Sequence, residues 1–406
     1  MSGHISKFCK AAIKHRKHYS TDSFLLSKPL IEFREKAREV VAKKIAPLAD
    51  KADKEGKFSE GHFEILGKEG LLDVKVPKKY GGLGLGNIGS TLLTEEIAYG
   101  CGATATSVSG HTSLYTGTLV TFGSEKQILK YIKPHLSGKY VGSFSLSEPE
   151  NGSDAGGLKT TAKLEGDNWI LNGSKMWITN GNLPGGMILI ATTDRSKQHK
   201  GINSFIVPKP LENATVHRLE DKLGMRASPT CQITFENARI PAENIIGKPG
   251  DGFKIAMTSL NSARLGAASI GLGTSRHSID LALKYLRRNK IHPITTADCT
   301  TSSLKLAEME CRAQAARLMI YTAAKLLDEN HPEATKYCAM AKVMGSETGT
   351  FCAHQAMQIL GNEGYLAENK VERLYRDNRV TEIYDGTSEI QRLVIAKSFD
   401  EPSKLT

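Results

Sequence analysis

Residues 84–89 read GLGNIG, a literal G-x-G-x-x-G, and they follow the strand-like stretch LLDVKVP. Glycines at this spacing let a backbone approach a pyrophosphate at the start of a helix. That chemistry also needs an acidic residue about 20 positions further on to hold a ribose hydroxyl. The stretch there, ATSVSGHTSLY, contains none, and no series of parallel strands follows. The glycines are therefore read as a structural turn. Cysteine chemistry is no better supported. Seven cysteines, at 9, 101, 231, 299, 311, 338 and 352, form no C-x-x-C pair and no regular spacing. An odd, scattered set argues against a zinc site or a disulfide framework and for a reducing compartment. Four other stretches combine glycine, hydroxyls, an aromatic and carboxylates: FSLSEPENGSDAGG (144–157), GSKMWITNG (173–181), MQILGNEGYLAENKVERLYRD (357–377) and TEIYDGTSEIQRLVIAK (381–397).

The elements that must position these stretches follow from periodicity. From 28 to about 140 the pattern is helical: Leu30, Phe33, Ala37, Val41, Ile45 and Leu48 recur three to four apart with charges between them. From about 141 to 248 the period becomes two. Cys231, Ile233 and Phe235 alternate with Gln232, Thr234 and Glu236, and MILIATTD and INSFIVP are short apolar runs ended by turn residues. The stretch NWILNGSKMWITNG is predicted to fold back as a hairpin at Asn172–Gly173, a favoured tight-turn pair. Helices return from about 250, where Leu304, Ala307, Cys311, Ala315 and Leu318 make a stripe. The order helical, β, helical excludes a βαβ alternation. No internal repeat or low-complexity tract is present.

The chain has 406 residues, 40% hydrophobic and 24% charged, an ordinary globular composition. No run of about 18 apolar residues occurs, so no membrane span is expected. The first 21 residues carry Lys7, Lys10, Lys14, Arg16 and Lys17 and no acid before Asp22. Ile5, Cys9, Ala12 and Ile13 fall near one helical stripe. This is the pattern of a mitochondrial transit peptide cleaved near Tyr19–Ser20, and it predicts a matrix protein. Setting these five cations aside lowers the formal net charge from +11 to +6. That is too diffuse for nucleic-acid binding, and no basic-aromatic cluster supports it. It does suit polyanionic ligands such as a nucleotide cofactor or coenzyme A.

Together the four stretches, with KLGMRASPTCQITFENARIP at 223–241, resemble the acyl-CoA dehydrogenases, nearest in texture to the short-chain (butyryl-type) members. The resemblance runs from about 28 to 397. It implies a mostly α, α+β architecture: a helical N-terminal domain (22–140), a β-barrel-like middle domain (141–250) and a C-terminal four-helix bundle (251–406). It implies FAD between the β domain and the bundle, a homotetramer, and electron-transfer flavoprotein as partner. The implied reaction is α,β-dehydrogenation of an acyl-CoA thioester: a carboxylate takes the α proton and the β hydrogen leaves as hydride to the flavin. The matching base is Asp385, whose backbone N–H would also help polarise the thioester carbonyl, with Gly386 letting substrate pass close to the backbone. Expected FAD contacts are Phe144, Leu146, Ser147 and Ser153, the triplet Trp177, Ile178 and Thr179, and Thr387, Ser388 and Glu389. Gln358, Ile359, Leu360, Gly361 and Asn362 match a turn that a neighbouring subunit offers. Ser153, Asn261, Ser262, Ala263 and Arg264 match substrate contacts. No metal is implied. Singly, Trp177 reads as well as a core side chain, Arg264 as an ion-pair partner and Ser147 as a strand hydroxyl; inside four matching segments the functional reading is favoured.

Two departures stand out. The family places glutamate where this chain has Asp385, an arm shorter by one methylene. A superfamily variant sets the base just before the arginine matching Arg264, but that position is Ala263. Nitroalkane oxidases share the fold and use aspartate at this place, which leaves an oxidase of that type as one alternative. The second departure lies in RRNKIHPITTADCTTSSLKL. Asn289, His292 and Thr300 stand where relatives hold an arginine, a phenylalanine and a glutamine that clamp the FAD pyrophosphate and adenine side. Arg287, Arg288 or Lys290 could replace the arginine by a small shift. Weak FAD retention, or an acyl-CoA-binding homologue with little flavin chemistry, follows as the other alternative.

Overall fold

A computed structural model describes residues 22–72, 74–289 and 301–399. In the N-terminal part, α1 (Lys28–Val40) carries Pro29 in its first turn, where a missing N–H costs nothing. Its predicted stripe is the buried one: Phe33, Ala37, Val41 and Ile45 enter the core, Leu30 packs at its edge and Leu48 is half-buried. The four-residue steps continue through a π turn at Val41–Ile45. Then come α2 (Ala49–Glu55), α3 (His62–Lys68), α4 (Gly86–Gly100), α5 (Gly102–Ser109), a π turn at Gly110–Thr116, α6 (Gly117–Phe122) and α7 (Glu125–Tyr131). LLDVKVP forms no strand among the described residues; Leu71, Leu72, Val74 and Val76 are buried in bends. In GLGNIG, Gly84 and Gly86 both take φ +64, and Gly86 opens α4. The first amides of that helix do hold an anion, but it is internal: Asn87 and Ile88 donate to the Asp328 carboxylate at 2.7 and 3.1 Å. The dinucleotide reading is thus excluded by an occupant.

The middle part is one sheet built from β1 (Ser143–Ser145), β2 (Thr161–Glu165), β3 (Asn168–Thr179), β4 (Gly185–Thr192), β5 (Ile202–Lys209), β6 (Ala214–Leu219), β7 (Thr230–Pro241) and β8 (Ile245–Ile246). Its order is β6-β7-β3-β2-β4-β5-β8, with β1 parallel to β4. Cys231, Ile233 and Phe235 of β7 point inward as the alternation predicted. The expected hairpin at Asn172–Gly173 is not there. β3 runs straight through, and the turn lies earlier, at Gly166 (φ +58) between β2 and β3. Asn172 instead serves a bulge: its Oδ1 accepts from the Asn237 N–H (2.9 Å) where the β3–β7 register slips. The left-handed residue at this bulge is Asn237 on β7 (φ +57), and Asn172–Gly173 stays within the strand.

The C-terminal part holds three long helices, α8 (Gly252–Arg288), α9 (Thr301–Asp328) and α10 (Ala334–Leu360). Two short ones follow, α11 (Val371–Asn378) and α12 (Ser388–Lys397). Contact between α8 and α10 is backbone to backbone: a Cβ on Gly271 would lie 2.1 Å from the Gly345 carbonyl oxygen. Glu95 of α4 ties the N-terminal part to this bundle, bonded to Arg276 (2.9 Å), Arg317 (3.1 Å) and the Tyr321 hydroxyl (2.8 Å). Burial alone would raise the Glu95 carboxyl, but the two guanidiniums bring it below the usual carboxylate range. The stripe of α9 is helical as expected but faces the other way. Leu304, Ala307, Cys311, Ala315 and Leu318 are exposed, while Leu306, Met309, Ala313, Ala316 and Ile320 fill the core.

Candidate functional site

Helix α5 and its π-turn continuation gather the scattered stretches. Thr106 places its hydroxyl 3.4 Å from the Tyr384 hydroxyl. The Ser107 carbonyl accepts from the Asn180 amide at 2.9 Å. A Cβ on Gly110 would lie 3.8 Å from Thr179 Cγ2, and one on Gly266 of α8 would strike Ser109 Oγ. Residues 106 and 110 are one turn apart, about 6 Å. So the WIT triplet and the YDG turn, more than 200 positions apart in sequence, meet across a single helical turn. This segment is the ATSVSGHTSLY stretch, which sequence reasoning noted only for lacking an acid.

One wall of the site is the end of β3. The register slip between Lys175 and Ile178 ejects Trp177, which adopts φ +64 and stands 56% exposed. Met176 N–H donates to the Ser147 carbonyl at 2.9 Å, which fastens the ejected residues to the 144–148 segment. Ile178 is buried in the sheet core, so it can offer a ligand only backbone; Thr179 is half-buried. Phe144, Leu146 and Ser147 are half-buried along the neighbouring edge, and Ser153 lies in an exposed loop beyond it. A buried ion pair fixes this edge. Lys175 Nζ reaches the Leu146 carbonyl (2.9 Å) and the Glu148 carboxylate (2.8 Å), which also accepts from the Lys159 and Thr160 N–H groups (2.6 and 2.9 Å). Burial works against the Glu148 charge, but Lys175 wins and holds its carboxyl down at about 2. Both residues sat inside quoted motifs and neither was picked out. A lysine directly before the run Met176, Trp177 and Ile178 was the available signal.

The other wall is the turn 378–387. Asp385 takes φ +56 and Gly386 φ +88, a left-handed pair that non-glycine residues seldom adopt. Gln391 of α12 clamps it: the Nε2 amide donates to the Asp385 and Gly386 carbonyls at 3.0 and 2.9 Å. The carbonyls are thereby engaged from one side, while the Asp385 N–H has no acceptor among the described residues. Thr387 caps α12, its hydroxyl accepting from the Ile390 N–H at 3.2 Å. Ser388 is buried with its Oγ unpartnered, and Glu389 is exposed on the first turn. Burial pushes the Asp385 carboxyl up to about 6, against the pull of Lys342 and Arg264. Burial also pushes the Tyr384 hydroxyl up. On α8, Asn261, Ser262, Ala263 and Arg264 are all buried; Arg264 donates to Asn261 Oδ1 at 2.8 Å and Lys75 to Ser262 Oγ at 2.9 Å.

The remaining expected residues are far from this place within the chain. Gln358, Gly361 and Asn362 are exposed at the C-terminal end of α10, with Ile359 and Leu360 buried behind them. Position 358 is 16 residues, roughly 24 Å, along that helix from Lys342. Asn289 caps α8 some 25 residues, roughly 37 Å, beyond Arg264, its amide bonded back to the Tyr285 carbonyl at 3.0 Å. An Arg288–Glu363 ion pair joins these two helix ends, so Asn289 and the 358–362 turn form one far patch. Lys290, His292 and Thr300 lie outside the described residues, as do positions 1–21. Among the described residues no group of three or more His, Cys, Asp or Glu is placed to hold a metal ion, and no helix is long and apolar enough to cross a membrane.

The chain matches the acyl-CoA dehydrogenase N-terminal domain over residues 29–139, the middle domain over 143–238 and the C-terminal domain over 250–399. It belongs to the acyl-CoA dehydrogenase family. It is 44% identical over 394 residues to the mitochondrial short-chain specific acyl-CoA dehydrogenase of Rattus norvegicus, covering 97% of this chain and 95% of that protein. The structure of butyryl-CoA dehydrogenase from Megasphaera elsdenii superposes with a TM-score of 0.87 at 33% identity, covering 92% of this chain and 98% of that one. A chain from work on the electron transferring flavoprotein of Acidaminococcus fermentans gives 0.89 at 33% identity, over 93% and 99%. FAD is this family's cofactor. The residues present suit it on the near side, with a bare indole at Trp177, the half-buried Thr179 whose methyl lies against Gly110, and an orphaned buried hydroxyl at Ser388 at the start of α12. On the far patch, Asn289 offers no cation, and Arg288 is already paired with Glu363.

Proposed function

We propose that this protein dehydrogenates short-chain acyl-CoA thioesters at the α,β bond within fatty-acid β-oxidation, with Asp385 as the α-proton base and electron-transfer flavoprotein as the electron acceptor. The observation that carries the assignment is the state of Asp385. Its carboxyl is dry enough to be held near 6, yet the residue keeps an accessible edge on the turn. A base poised there is ionised at neutral pH and still has an appreciable proton affinity. When bound, FAD supplies the acceptor for the β hydride. The chain supplies the rest. Gln391 holds the turn by its carbonyls, leaving the Asp385 N–H free to donate to the thioester oxygen, where charge develops as the proton leaves. Gly386 allows close approach at φ +88. Trp177, Thr179 and Ser388 would hold the flavin, with Phe144, Leu146, Ser147, Ser153, Thr387 and Glu389 along its edge. Asn261 and Arg264 would support the substrate from α8.

The far patch and the outward stripe of α9 support a homotetramer in which Gln358, Gly361 and Asn362 serve a neighbouring subunit's FAD. Residues 1–21 are proposed as a transit peptide to the mitochondrial matrix, in keeping with the location of the rat relative. The test is anaerobic mixing of the flavin-loaded protein with a series of saturated acyl-CoA thioesters. Bleaching of the oxidised flavin band, fastest with butyryl-CoA, is expected. Retention of flavin with no bleaching by any of them refutes the dehydrogenase reading.

A further inference from the structure

Lys342 of α10 is fully buried, and its Nζ has no hydrogen-bond partner. A desolvated ammonium with no partner is costly, so its surroundings call for a reason. Lys342, Ser346 and Thr350 follow at four-residue steps and share one face of α10. The base-bearing segment lies along that face. Asn378 Nδ2 donates to the Ser346 carbonyl and to Thr350 Oγ1, each at 2.9 Å, and the Thr350 hydroxyl bonds the Glu382 carboxylate. Asp385 follows Glu382 by three residues, and both carboxylates act on the Lys342 ammonium. The charged groups that face Lys342 are Asp385, Glu382 and Glu347, with Arg264 opposing; those that face Asp385 are Lys342 and Arg264, with the Tyr384 hydroxyl beside it. No ion pair within hydrogen-bonding reach joins Lys342 to Asp385 among the described residues.

We propose that Lys342 is a positioning residue that keeps the Asp385 carboxylate charged in its dry turn without occupying the oxygen that must take the proton. This rests on Asp385 being the base. A lysine in direct contact would cover a carboxylate lone pair and weaken the base. A cation set back on the neighbouring helix favours ionisation through the low-dielectric interior and leaves the oxygens free. Arg264 pulls in the same direction but has Asn261 as a hydrogen-bond acceptor, whereas the Lys342 ammonium has none.

The sign is fixed by the charges. Removing the Lys342 cation takes away one of the two influences that hold the Asp385 carboxyl down, so the acid limb of the reaction moves to higher pH. Wild type, Lys342→Met, Lys342→Arg and Asp385→Asn are purified with flavin, and bleaching by butyryl-CoA is followed anaerobically from pH 5.5 to 9. Lys342→Met should shift the acid limb upward by about one pH unit, with a several-fold loss at pH 6.5 and little at pH 9. Lys342→Arg should stay near wild type. The protonated-carboxyl infrared band that separates wild type from Asp385→Asn, titrated without substrate, reads the same shift independently of turnover. If Lys342→Met does not fold, Lys342→Gln carries the same expectation. A methionine or glutamine variant that folds, holds flavin and titrates like wild type by both readouts overturns the role of Lys342. Bleaching that persists in Asp385→Asn overturns the base assignment instead.

Discussion

Asp385→Asn separates what the carboxylate costs from what it does. The side chain keeps its shape, asparagine tolerates the left-handed backbone at φ +56, and the backbone N–H is retained. What is lost is a charge that the fold holds at a disadvantage. The carboxyl sits at about 6 in the folded chain against an ordinary 3.8. At about 1.4 kcal/mol per pH unit, that gap puts the cost of keeping it ionised at up to about 3 kcal/mol. Because the folded value is raised, the native state binds its proton more readily than the unfolded chain does. Stability from this group is present below pH 4 and is lost as pH rises through 6. Asparagine mimics the protonated form at every pH. The variant should therefore unfold with wild type near pH 4 and a few degrees above it at pH 8. Over the same range flavin bleaching by butyryl-CoA should fall by several orders of magnitude, since the α proton has no acceptor. Thermal scans from pH 4 to 9 and one anaerobic bleaching series measure both. A melting difference that does not grow with pH would show that the carboxylate is not held at a cost, and bleaching at the wild-type rate would remove it from the chemistry.

Asn289→Arg should slow flavin loss on dialysis by about tenfold or more, since a restored charge-assisted phosphate contact is worth roughly 1.5–3 kcal/mol; unchanged flavin absorbance over time would mean that position does not reach the cofactor. Gly345→Ala forces a methyl to within 2.5 Å of the Ala268 carbonyl oxygen on α8, so the helices must part. It should cost roughly 1–3 kcal/mol, read as a lowered unfolding midpoint, and an unchanged midpoint would refute the close contact. Protein recovered from mitochondria should begin close to Ser20; an intact Met1 on the imported protein would contradict the transit-peptide reading.

Periodicity carried the helical-β-helical order because burial imposes it residue by residue: the α1 stripe and the β7 alternation are solved by the chain alone. It could not say which neighbour a stripe faces. On α9 two apolar rows run side by side, one of them Leu306, Met309, Ala313 and the other Leu304, Ala307, Cys311, and only packing decides between them. Asn172–Gly173 stays in the strand for a related reason, since the left-handed bulge residue opposite it, Asn237, belongs to β7, and that pairing is set by a partner more than 60 positions away. Within the candidate site, residues that share a contiguous motif could be named from the sequence as candidates. Those defined by meeting across the fold were not: the α5 spine, the Glu148–Lys175 pair and Lys342 each depend on partners tens to hundreds of positions away.

The outward row on α9 has its own logic. Cys352 Sγ lies 3.7 Å from the Met309 carbonyl, so the start of α9 sits beside the end of α10, near the Arg288–Glu363 pair. Leu304 and Leu318 are 63% and 50% exposed. An apolar row of that kind, at helical spacing, is stabilised when another surface covers it. The same end of the bundle carries Gln358, Gly361, Asn362 and Asn289, which lie too far from Asp385 to serve its site within one chain. An interface formed there would cover the apolar row and deliver those residues to a neighbour's cofactor in one step. Asn289, at the end of α8 in this patch, would then bear on assembly as much as on flavin affinity, because cofactor and neighbour would be held by the same end of the bundle.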